Sequence, residues 1–250
     1  NLTTTPNGVT IVGKWEMELQ DYYYASWFCN GSTPTAPKHT EFMIGYAYAT
    51  SKGKPFIVDT HVYVDGTPRT DGITYAVKVL SNSQLLFTPK GKLTQIPVNE
   101  AAYSILNCFG ADNFYIFKAN LEGDKLSSTS TTGEWGCGLS VTSCTNGLIE
   151  YPQMINCRGD GLYIGQEYFN HSAASLCPKD IKIIKPKIIN AGRNGIALCC
   201  GEDIYIDTPT VDGVSGKAPE SAIDLEPEEA DGSPLKSYLK NVVIHNATLL

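Results

Sequence analysis

The sequence lacks the features of a membrane-spanning protein and of a nucleic-acid-binding protein. No apolar run approaches the roughly 20 residues that a transmembrane helix requires. The chain has 19 Lys and Arg against 26 Asp and Glu, a formal net charge of −7, whereas a protein that binds a phosphate backbone usually carries a basic face. The 42% hydrophobic and 18% charged content is that of a globular protein. We therefore predict neither membrane insertion nor a nucleic-acid partner.

Motifs for metal, nucleotide and covalent chemistry are also missing. The eight cysteines contain no CxxC pair, and no His stands at zinc-ligand spacing. There is no P-loop, HExxH, nucleophilic serine elbow or spaced calcium-ligand motif. Cysteine is too scarce for a disulfide scaffold, so we predict that most cysteines are small buried apolar residues. We predict no metal and no other cofactor.

What the sequence does contain is an internal repeat. An Asn or Asp, two residues and an aliphatic recur at spacings of 23 to 38 residues in Asn82-Ser-Gln-Leu85, Asn113-Phe-Tyr-Ile116, Asn146-Gly-Leu-Ile149, Asp180-Ile-Lys-Ile183, Asp203-Ile-Tyr-Ile206 and Asn241-Val-Val-Ile244. A second motif follows most copies, in Gly138-Leu-Ser-Val141, Gly161-Leu-Tyr-Ile164, Gly195-Ile-Ala-Leu198 and Ala222-Ile-Asp-Leu225. Two phased strand signals in each period predict a solenoid.

The repeated elements are strands. They are short, alternate apolar with variable residues, and are bounded by Gly, Asn, Asp and Pro. A leucine-rich repeat would place several leucines at fixed offsets, and a propeller blade would need four strands in each repeat. Variable insertions between two constant strands fit a parallel β-helix better, with coils stacked about 4.8 Å apart. The predicted fold class is therefore all-β, a parallel β-helix.

A solenoid needs caps over its terminal coils. Residues 39–51 are predicted to form an amphipathic capping helix with Thr40 as its N-cap, ahead of an entry strand at Phe56–Val58. We assign residues 1–37 to an aromatic-rich lead-in segment, which either contacts glycan or an adaptor or packs on the helix. Residues 38–250 form the β-helix. Because the sequence stops in an apolar run, we expect the natural chain to continue beyond Leu250, or partner subunits to cover this end.

Outward positions of neighbouring coils form columns along the rod, and two acids share one column face. Alignment of the second motif places Asp224 in a column with Ser140, Tyr163 and Ala197, and Glu226 in the next with Thr142, Gly165 and Cys199. The Cα atoms of two residues that lie two positions apart on a strand are about 6.5–7 Å apart. An inverting glycosidase needs carboxyl groups roughly 6.5–9.5 Å apart. Asp224 and Glu226 are therefore the predicted catalytic pair, with a shallow hollow over the small residues below them.

Further residues are assigned to the same site, each with an alternative role. Asp160 completes an acid pair or only binds its own turn, and Glu134 is catalytic or a salt-bridge partner. Asp224 and Glu226 themselves could be solvated surface acids. The candidate substrate-binding residues are Tyr163 and Trp135, by stacking on sugar rings, Glu167, and Arg193, which either binds an anionic sugar or pairs with Asp224 or Glu226.

Three segments resemble bacteriophage tailspike depolymerases and related pectin-lyase-like β-helix proteins. They are Gly133-Glu-Trp-Gly-Cys-Gly-Leu, Arg158-Gly-Asp-Gly-Leu-Tyr-Ile-Gly165 and Ala222-Ile-Asp-Leu-Glu-Pro227. The entry strand after the short helix is similar too, so the resemblance spans residues 38–250. It implies a right-handed parallel β-helix, usually a homotrimer, that cleaves a bacterial capsule, O-antigen or exopolysaccharide. It also implies Glu134, Asp160, Asp224 and Glu226 as the candidate carboxylates, in a site within or between subunits.

Three functions follow as alternatives from the fold and the resemblance. The first is an endoglycosidase of a phage tail or of a secreted protein, with tail or baseplate components as partners. The second is a polysaccharide lyase, which the sparse basic residues near the second motif disfavour. The third is a receptor-binding fibre that holds glycan without cleaving it.

Overall fold

The chain folds into short strands after one helix. A computed structural model describes residues 20–66, 75–129, 134–167, 176–227 and 237–250. A 3-10 turn covers Ala25–Trp27 and the helix, α1, covers His39–Ser51. In chain order the strands are β1 (Tyr23–Tyr24), β2 (Phe56–Val58), β3 (His61–Val64), β4 (Tyr75–Lys78), β5 (Ser83–Phe87), β6 (Lys92–Gln95), β7 (Ala102–Asn107), β8 (Asp112–Phe117), β9 (Asn120–Glu122), β10 (Trp135–Thr142), β11 (Thr145–Glu150), β12 (Gln153–Ile155), β13 (Leu162–Gly165), β14 (Lys179–Ile184), β15 (Lys187–Ala191), β16 (Ile196–Leu198), β17 (Gly201–Asp207), β18 (Thr210–Val214), β19 (Ile223–Leu225), β20 (Leu239–His245) and β21 (Thr248–Leu249).

These strands form three parallel sheets that the chain visits in turn. Sheet 1 has the order β1-β2-β5-β8-β11-β14-β17-β20, sheet 2 the order β3-β6-β9-β12-β15-β18-β21, and sheet 3 the order β4-β7-β10-β13-β16-β19. Each strand therefore pairs with the strand one coil away. The protein is a right-handed parallel β-helix with a short N-terminal capping helix, which confirms the predicted fold class. In the described part of the chain, no helix has both the length and the apolar character needed to cross a bilayer.

The first repeated motif forms the strands of sheet 1. Its opening residue has a left-handed backbone in every copy, with φ from 53° to 55° at Asn82, Asn113, Asn146, Asp180, Asp203 and Asn241. Among residues with a side chain, Asn and Asp tolerate this conformation best, which explains why the repeat uses them. The side chains also form a ladder, because the Asn113 amide donates to Asn82 Oδ1 at 2.8 Å and the Asn241 amide to Asp203 Oδ1 at 2.8 Å.

Sheet 2 was absent from the sequence prediction, which found only two strands in each period. Its strands have two to five residues. Most of them bury one central aliphatic, such as Leu121, Met154 or Ile188. A single buried residue between two turns has no periodicity to detect, so the third strand of the coil left no signal.

The N-terminal cap is the helix that the sequence predicted, over the same residues, 39–51, with a different N-cap. Phe42, Tyr46 and Ala49 are buried, and the Phe42 ring packs edge-on against Phe56 of the first coil at 5.1 Å between centroids. The predicted N-cap, Thr40, is wrong: the N-cap is Lys38, which makes no side-chain capping bond. Instead, the Lys38 ammonium pairs with the Glu41 carboxylate at 2.8 Å. Glu41 lies in the first turn of the helix, where its negative charge interacts favourably with the positive end of the helix dipole.

Part of the aromatic lead-in joins the solenoid. Tyr23 and Tyr24 pair in parallel with Phe56 and Ile57 in sheet 1, and Tyr23 is fully buried. Trp27 is 48% exposed. Residues 1–19 lie outside the described residues, so the functional role proposed for this segment stays a prediction.

The cysteines divide into thiols and one disulfide. Cys29, Cys108, Cys137, Cys144 and Cys157 are buried free thiols, which confirms the prediction for most of the cysteines. Cys177 and Cys200 form a disulfide that the sequence did not predict. Their spacing of 23 residues has no local motif; the pair forms because the two residues lie on adjacent coils. Cys199 is a free, partly exposed thiol, whereas its chain neighbour Cys200 is buried.

Candidate functional site

Sheet 3 carries the predicted columns of outward residues. Tyr163 pairs with Ser140 and Ala197, and Ala197 pairs with Asp224, so the register is the predicted one. The strand pairing continues one residue past β19, because the Glu226 N–H donates to the Leu198 carbonyl at 3.1 Å. Asp224 and Glu226 therefore lie two positions apart on extended backbone, with their side chains on one face.

Arg193 lies at the centre of the acidic cluster. Its Nε is 3.6 Å from Glu134 Oε1, its Nη1 is 3.3 Å from Asp160 Oδ2, and its Nη2 is 3.7 Å from Glu226 Oε2. The Arg193 side chain is 13% exposed, against 40% for Glu134 and 47% for Glu226. One guanidinium therefore contacts carboxylates from three different coils, and two of these carboxylates, Glu134 and Glu226, are accessible. The pairing of Arg193 with Glu226 and a salt bridge of Glu134 were both predicted alternatives, whereas the contact of Arg193 with Asp160 was not predicted.

Two glycines bring these coils close enough for the cluster to form. A Cβ on Gly159 would lie 2.1 Å from the Glu134 carbonyl oxygen, and a Cβ on Gly192 would lie 2.1 Å from the Arg158 carbonyl oxygen. The Gly192 N–H donates to Gly159 O at 3.0 Å. Each glycine precedes a member of the cluster, Asp160 or Arg193, so the close approach of the backbones sets the position of these side chains.

Asp160 lies beneath Arg193 and is fully buried. Its Oδ1 accepts the Asn194 N–H at 3.0 Å, so it binds the backbone of the next coil and not its own turn. Burial raises the pKa of Asp160 to about 7; Arg193 and the Asn194 N–H counteract this rise, and the neighbouring Asp224 adds to it. With no exposed surface, Asp160 is placed to hold Arg193.

The raised pKa of Asp160 predicts a pH dependence of stability. The ordinary pKa is 3.8 and the folded one about 7, so the folded state binds this proton more tightly than the unfolded state. The stabilisation is fully present below about pH 4 and is lost as the pH rises through about 7. We expect the free energy of unfolding to fall across this window less steeply in Asp160→Asn than in the unmutated protein. Urea unfolding at both ends of the window measures this, and identical slopes would contradict it.

Asn194 connects the buried and the accessible acids, and the sequence reasoning missed it. It is fully buried. Its Nδ2 donates to Asp224 Oδ2 at 3.2 Å, and its Oδ1 accepts the Ser221 N–H at 3.2 Å. A signal did exist, since Asn194 precedes Gly195 of the second motif as Asp160 precedes Gly161.

The predicted hollow beneath the acids is wrong. The Tyr163 hydroxyl donates to the Gln166 carbonyl at 2.9 Å, and a Cβ on Gly165 would lie 2.7 Å from this hydroxyl oxygen. The phenol ring therefore lies along its own strand and fills the space over Gly165, and Ala197 is only 2% exposed. Burial raises the pKa of Tyr163. Gly165 has no side chain and so leaves room for the Tyr163 ring, which the strand pattern alone does not reveal.

The two remaining predicted residues have different surroundings. Trp135 is half-buried at the start of β10, next to Glu134, and pairs with Ala102. Glu167 is 7% exposed, and its Oε2 accepts bonds from Asn107 Nδ2 at 3.0 Å and Thr142 Oγ1 at 3.2 Å. Substrate binding by either residue stays a prediction, and the access of Glu167 to solvent is small.

Metal chemistry has no candidate among the residues that the structure describes. Within those ranges, no three His, Cys, Asp or Glu side chains are arranged to hold an ion. Arg193 supplies the positive charge of the cluster at the place where a cation would otherwise balance its carboxylates. An accessible pair of acids with different surroundings can act as a general acid and a general base, one giving a proton to a bound substrate and the other taking a proton from water.

Comparison of sequences finds two Bacillus subtilis proteins of unassigned activity, one of them prophage-derived. No model of a known protein family matches the chain. The chain is 27% identical over 169 residues to YorA, an uncharacterized SPbeta prophage-derived protein of Bacillus subtilis, covering 63% of this chain and 29% of that protein. It is 21% identical over 157 residues to YclG, an uncharacterized protein of the same organism, covering 59% and 27%. The chain thus spans less than a third of each of these relatives.

Comparison of structures finds β-helix proteins. A tailspike double mutant of E. coli bacteriophage HK620, in complex with a pentasaccharide, has a TM-score of 0.65 at 11% identity over 92% of this chain and 45% of that chain. An iota-carrageenase of family GH82 from A. fortis has a TM-score of 0.65 at 10% identity over 94% and 54%. A proposed glycosyl hydrolase from Parabacteroides merdae has a TM-score of 0.57 at 11% identity over 92% and 98%. At these identities the likeness shows the shared fold.

Proposed function

We propose that this protein is an endoglycosidase that hydrolyses a bacterial surface polysaccharide. The observation that carries the proposal is the acidic cluster around Arg193, in which Glu134, Asp160 and Glu226 contact one guanidinium and Asp224 lies beside them. The cluster lies on the long outer face of a rod, a shape that suits an extended polymer. Glycan-related proteins with the same fold support the substrate class, since the HK620 tailspike holds a pentasaccharide.

The surroundings of the two strand acids suggest their roles. Glu226 is accessible and lies beside Arg193, so we assign to it the role of the base that activates water. Asp224 uses one oxygen to accept the Asn194 amide, which leaves the other oxygen to carry a proton to the leaving group. Two positions along a strand separate their Cα atoms by about 6.5–7 Å. Carboxyl groups held roughly 6.5–9.5 Å apart leave room for the water of an inverting reaction.

The other members of the cluster assist. Glu134 lies on the side of Arg193 opposite Glu226 and is exposed enough to bind sugar hydroxyls. Trp135, adjacent to it, offers a ring face for stacking. Asp160 positions Arg193 from below, while Tyr163 and Glu167 shape the neighbouring surface.

A lyase is the weaker candidate. Elimination across a uronic acid needs a cation to neutralise the substrate carboxylate, and the charge of Arg193 is already shared among three acids of the protein. A uronate in this place would add a further negative charge to an acidic cluster, which is unfavourable at close range.

The biological setting is part of the proposal. The sequence similarity to a prophage-derived protein and the fold shared with a tailspike support action outside the cell, on a phage tail or as a secreted protein. A homotrimer attached to tail or baseplate components is the assembly that the tailspike resemblance suggests. Light scattering of the purified protein measures the assembly state, and a mass of one chain would contradict the trimer.

Incubation with a panel of purified bacterial capsules, O-antigens and exopolysaccharides tests the activity. We expect shorter fragments with new reducing ends from at least one glycan and no ultraviolet absorbance of unsaturated products. Unsaturated products would establish the lyase instead. Binding of a glycan without any fragments would overturn the proposal in favour of a receptor-binding fibre.

A further inference from the structure

Asn194 makes contacts in two directions from one buried position. Its main chain N–H donates to Asp160 and its side-chain amide donates to Asp224, at 3.0 and 3.2 Å. These two acids belong to coils on either side of the coil that carries Asn194. The residue is fully buried; its side-chain oxygen, Oδ1, accepts the Ser221 N–H at 3.2 Å and its main-chain carbonyl accepts the Gly161 N–H at 2.9 Å. Its hydrogen bonds therefore fix both carboxylates relative to each other.

We propose that Asn194 is a positioning residue that holds the Asp224 carboxylate in its reactive orientation and couples it to Asp160. This inference rests on the proposed function, since it assigns to Asp224 the role of general acid. The amide donates to one oxygen of Asp224 and cannot itself release a proton, so the proton of the acid is confined to the other oxygen. A carboxylate at the same position would compete for that proton.

The effect of a substitution at position 194 on the pKa of Asp160 depends on the other groups around Asp160. Arg193 contacts Asp160 directly, and Asp224 acts on it through space. Thiols from neighbouring coils and one phenol also interact electrostatically with Asp160; they are Cys137, Cys157, Cys199 and Tyr163. Burial holds the pKa values of these four groups above their ordinary range. They stay neutral while Asp160 titrates, so the charged groups on which a new charge at position 194 acts are Arg193 and the acids.

The test is Asn194→Asp, with Asn190→Asp as the matched control on the same coil. Asp at position 194 keeps the size of the side chain and the acceptor for Ser221, but loses the donor to Asp224 and adds a negative charge. We expect kcat to fall by about 10- to 100-fold, the effect of removing one partner of a buried hydrogen bond. We also expect the alkaline limb of the pH–rate profile to move to higher pH, because a like charge disfavours loss of the acid's proton. Asn190 bonds Asn156 and Lys125 and touches none of the acids, so its variant should leave the limb unchanged.

A second measurement does not depend on activity. Carboxyl 13C NMR of Asp-labelled protein follows the titration of Asp160, assigned by its loss in Asp160→Asn. In Asn194→Asp this titration should move to higher pH, and in Asn190→Asp it should not. If Asn194→Asp lowers the activity but leaves both the alkaline limb of the pH–rate profile and the titration of Asp160 unchanged, the inference is overturned and Asn194 has a packing role only. If no glycan is cleaved by the unmutated protein, the proposed function fails while the NMR titration still decides whether Asn194 couples the acids.

Discussion

Asp224→Asn and Glu226→Gln will each lower the rate of glycan cleavage by about 100- to 10,000-fold, the usual contribution of a general acid or base. Each substitution replaces a carboxylate by an amide of nearly the same shape. Asp224→Asn removes the proton that the leaving oxygen needs, and Glu226→Gln removes the base that activates water. Because both acids lie on the surface of sheet 3 and neither is part of the core, circular dichroism and the thermal midpoint should stay close to those of the unmutated protein.

The matched control for these two variants is Asp212→Asn. Asp212 is an exposed acid in sheet 2, away from the Arg193 cluster, so its amide variant should cleave at the unmutated rate. Reducing ends released over time from the glycan found in the panel measure all three. Full activity in both Asp224→Asn and Glu226→Gln, with the fold intact, would rule out the proposed pair and direct attention to Glu134.

The sequence predicted the register of the site because the β-helix repeats its backbone. Aliphatic residues at fixed offsets locate the inward positions, and the outward partners of Asp224 follow from counting along the strands. The same pattern placed Asn or Asp at the left-handed corner of each coil, as at Asn82 and Asp203. Features fixed by backbone periodicity are therefore readable from one sequence.

Side-chain direction and contacts between coils were not readable in this way. Arg193 contacts acids that are 33 and 59 residues away in sequence, counting to Asp160 and Glu134, and no local motif connects them. The orientation of Tyr163 depends on the absence of a side chain at Gly165 and on a carbonyl at Gln166. Asn194 was not predicted because the second motif begins at Gly195, and Asn194 is the residue directly before it.

A second buried ion pair, between Asp124 and Arg158, supports the turn that carries Asp160. Asp124 is fully buried and 3.2 Å from Arg158 Nε, whose side chain is 6% exposed. The Tyr103 hydroxyl donates to Asp124 Oδ1, the Val98 N–H donates to its Oδ2 at 3.2 Å, and Arg158 lies over the Tyr103 ring at 5.1 Å. Arg158 is separated from Asp160 only by Gly159, so this ion pair anchors the turn that presents Asp160 to Arg193.

Asp124→Asn should lower the free energy of unfolding by about 3–5 kcal/mol, the cost of leaving one charge of a buried pair without its partner. The amide keeps the shape and the acceptor for Tyr103 but turns its NH2 toward the Val98 N–H, so the loss comes from the uncompensated Arg158 charge and the broken Val98 bond, and not from a cavity. For a domain of this size the thermal midpoint should fall by roughly 10 °C. Asp207→Asn is the matched control, because Asp207 pairs with the half-exposed His245 on the surface and should have little effect.

The double variant Asp124→Leu/Arg158→Met separates the loss of a partner from the loss of the pair. Removing both charges leaves no uncompensated ion in the core, so the double variant should lose less stability than the sum of the two single losses. Urea unfolding of the single and double variants measures this difference. Additive losses would mean that Asp124 and Arg158 stabilise the protein through independent contacts, and the turn at Asp160 would then not depend on their pairing.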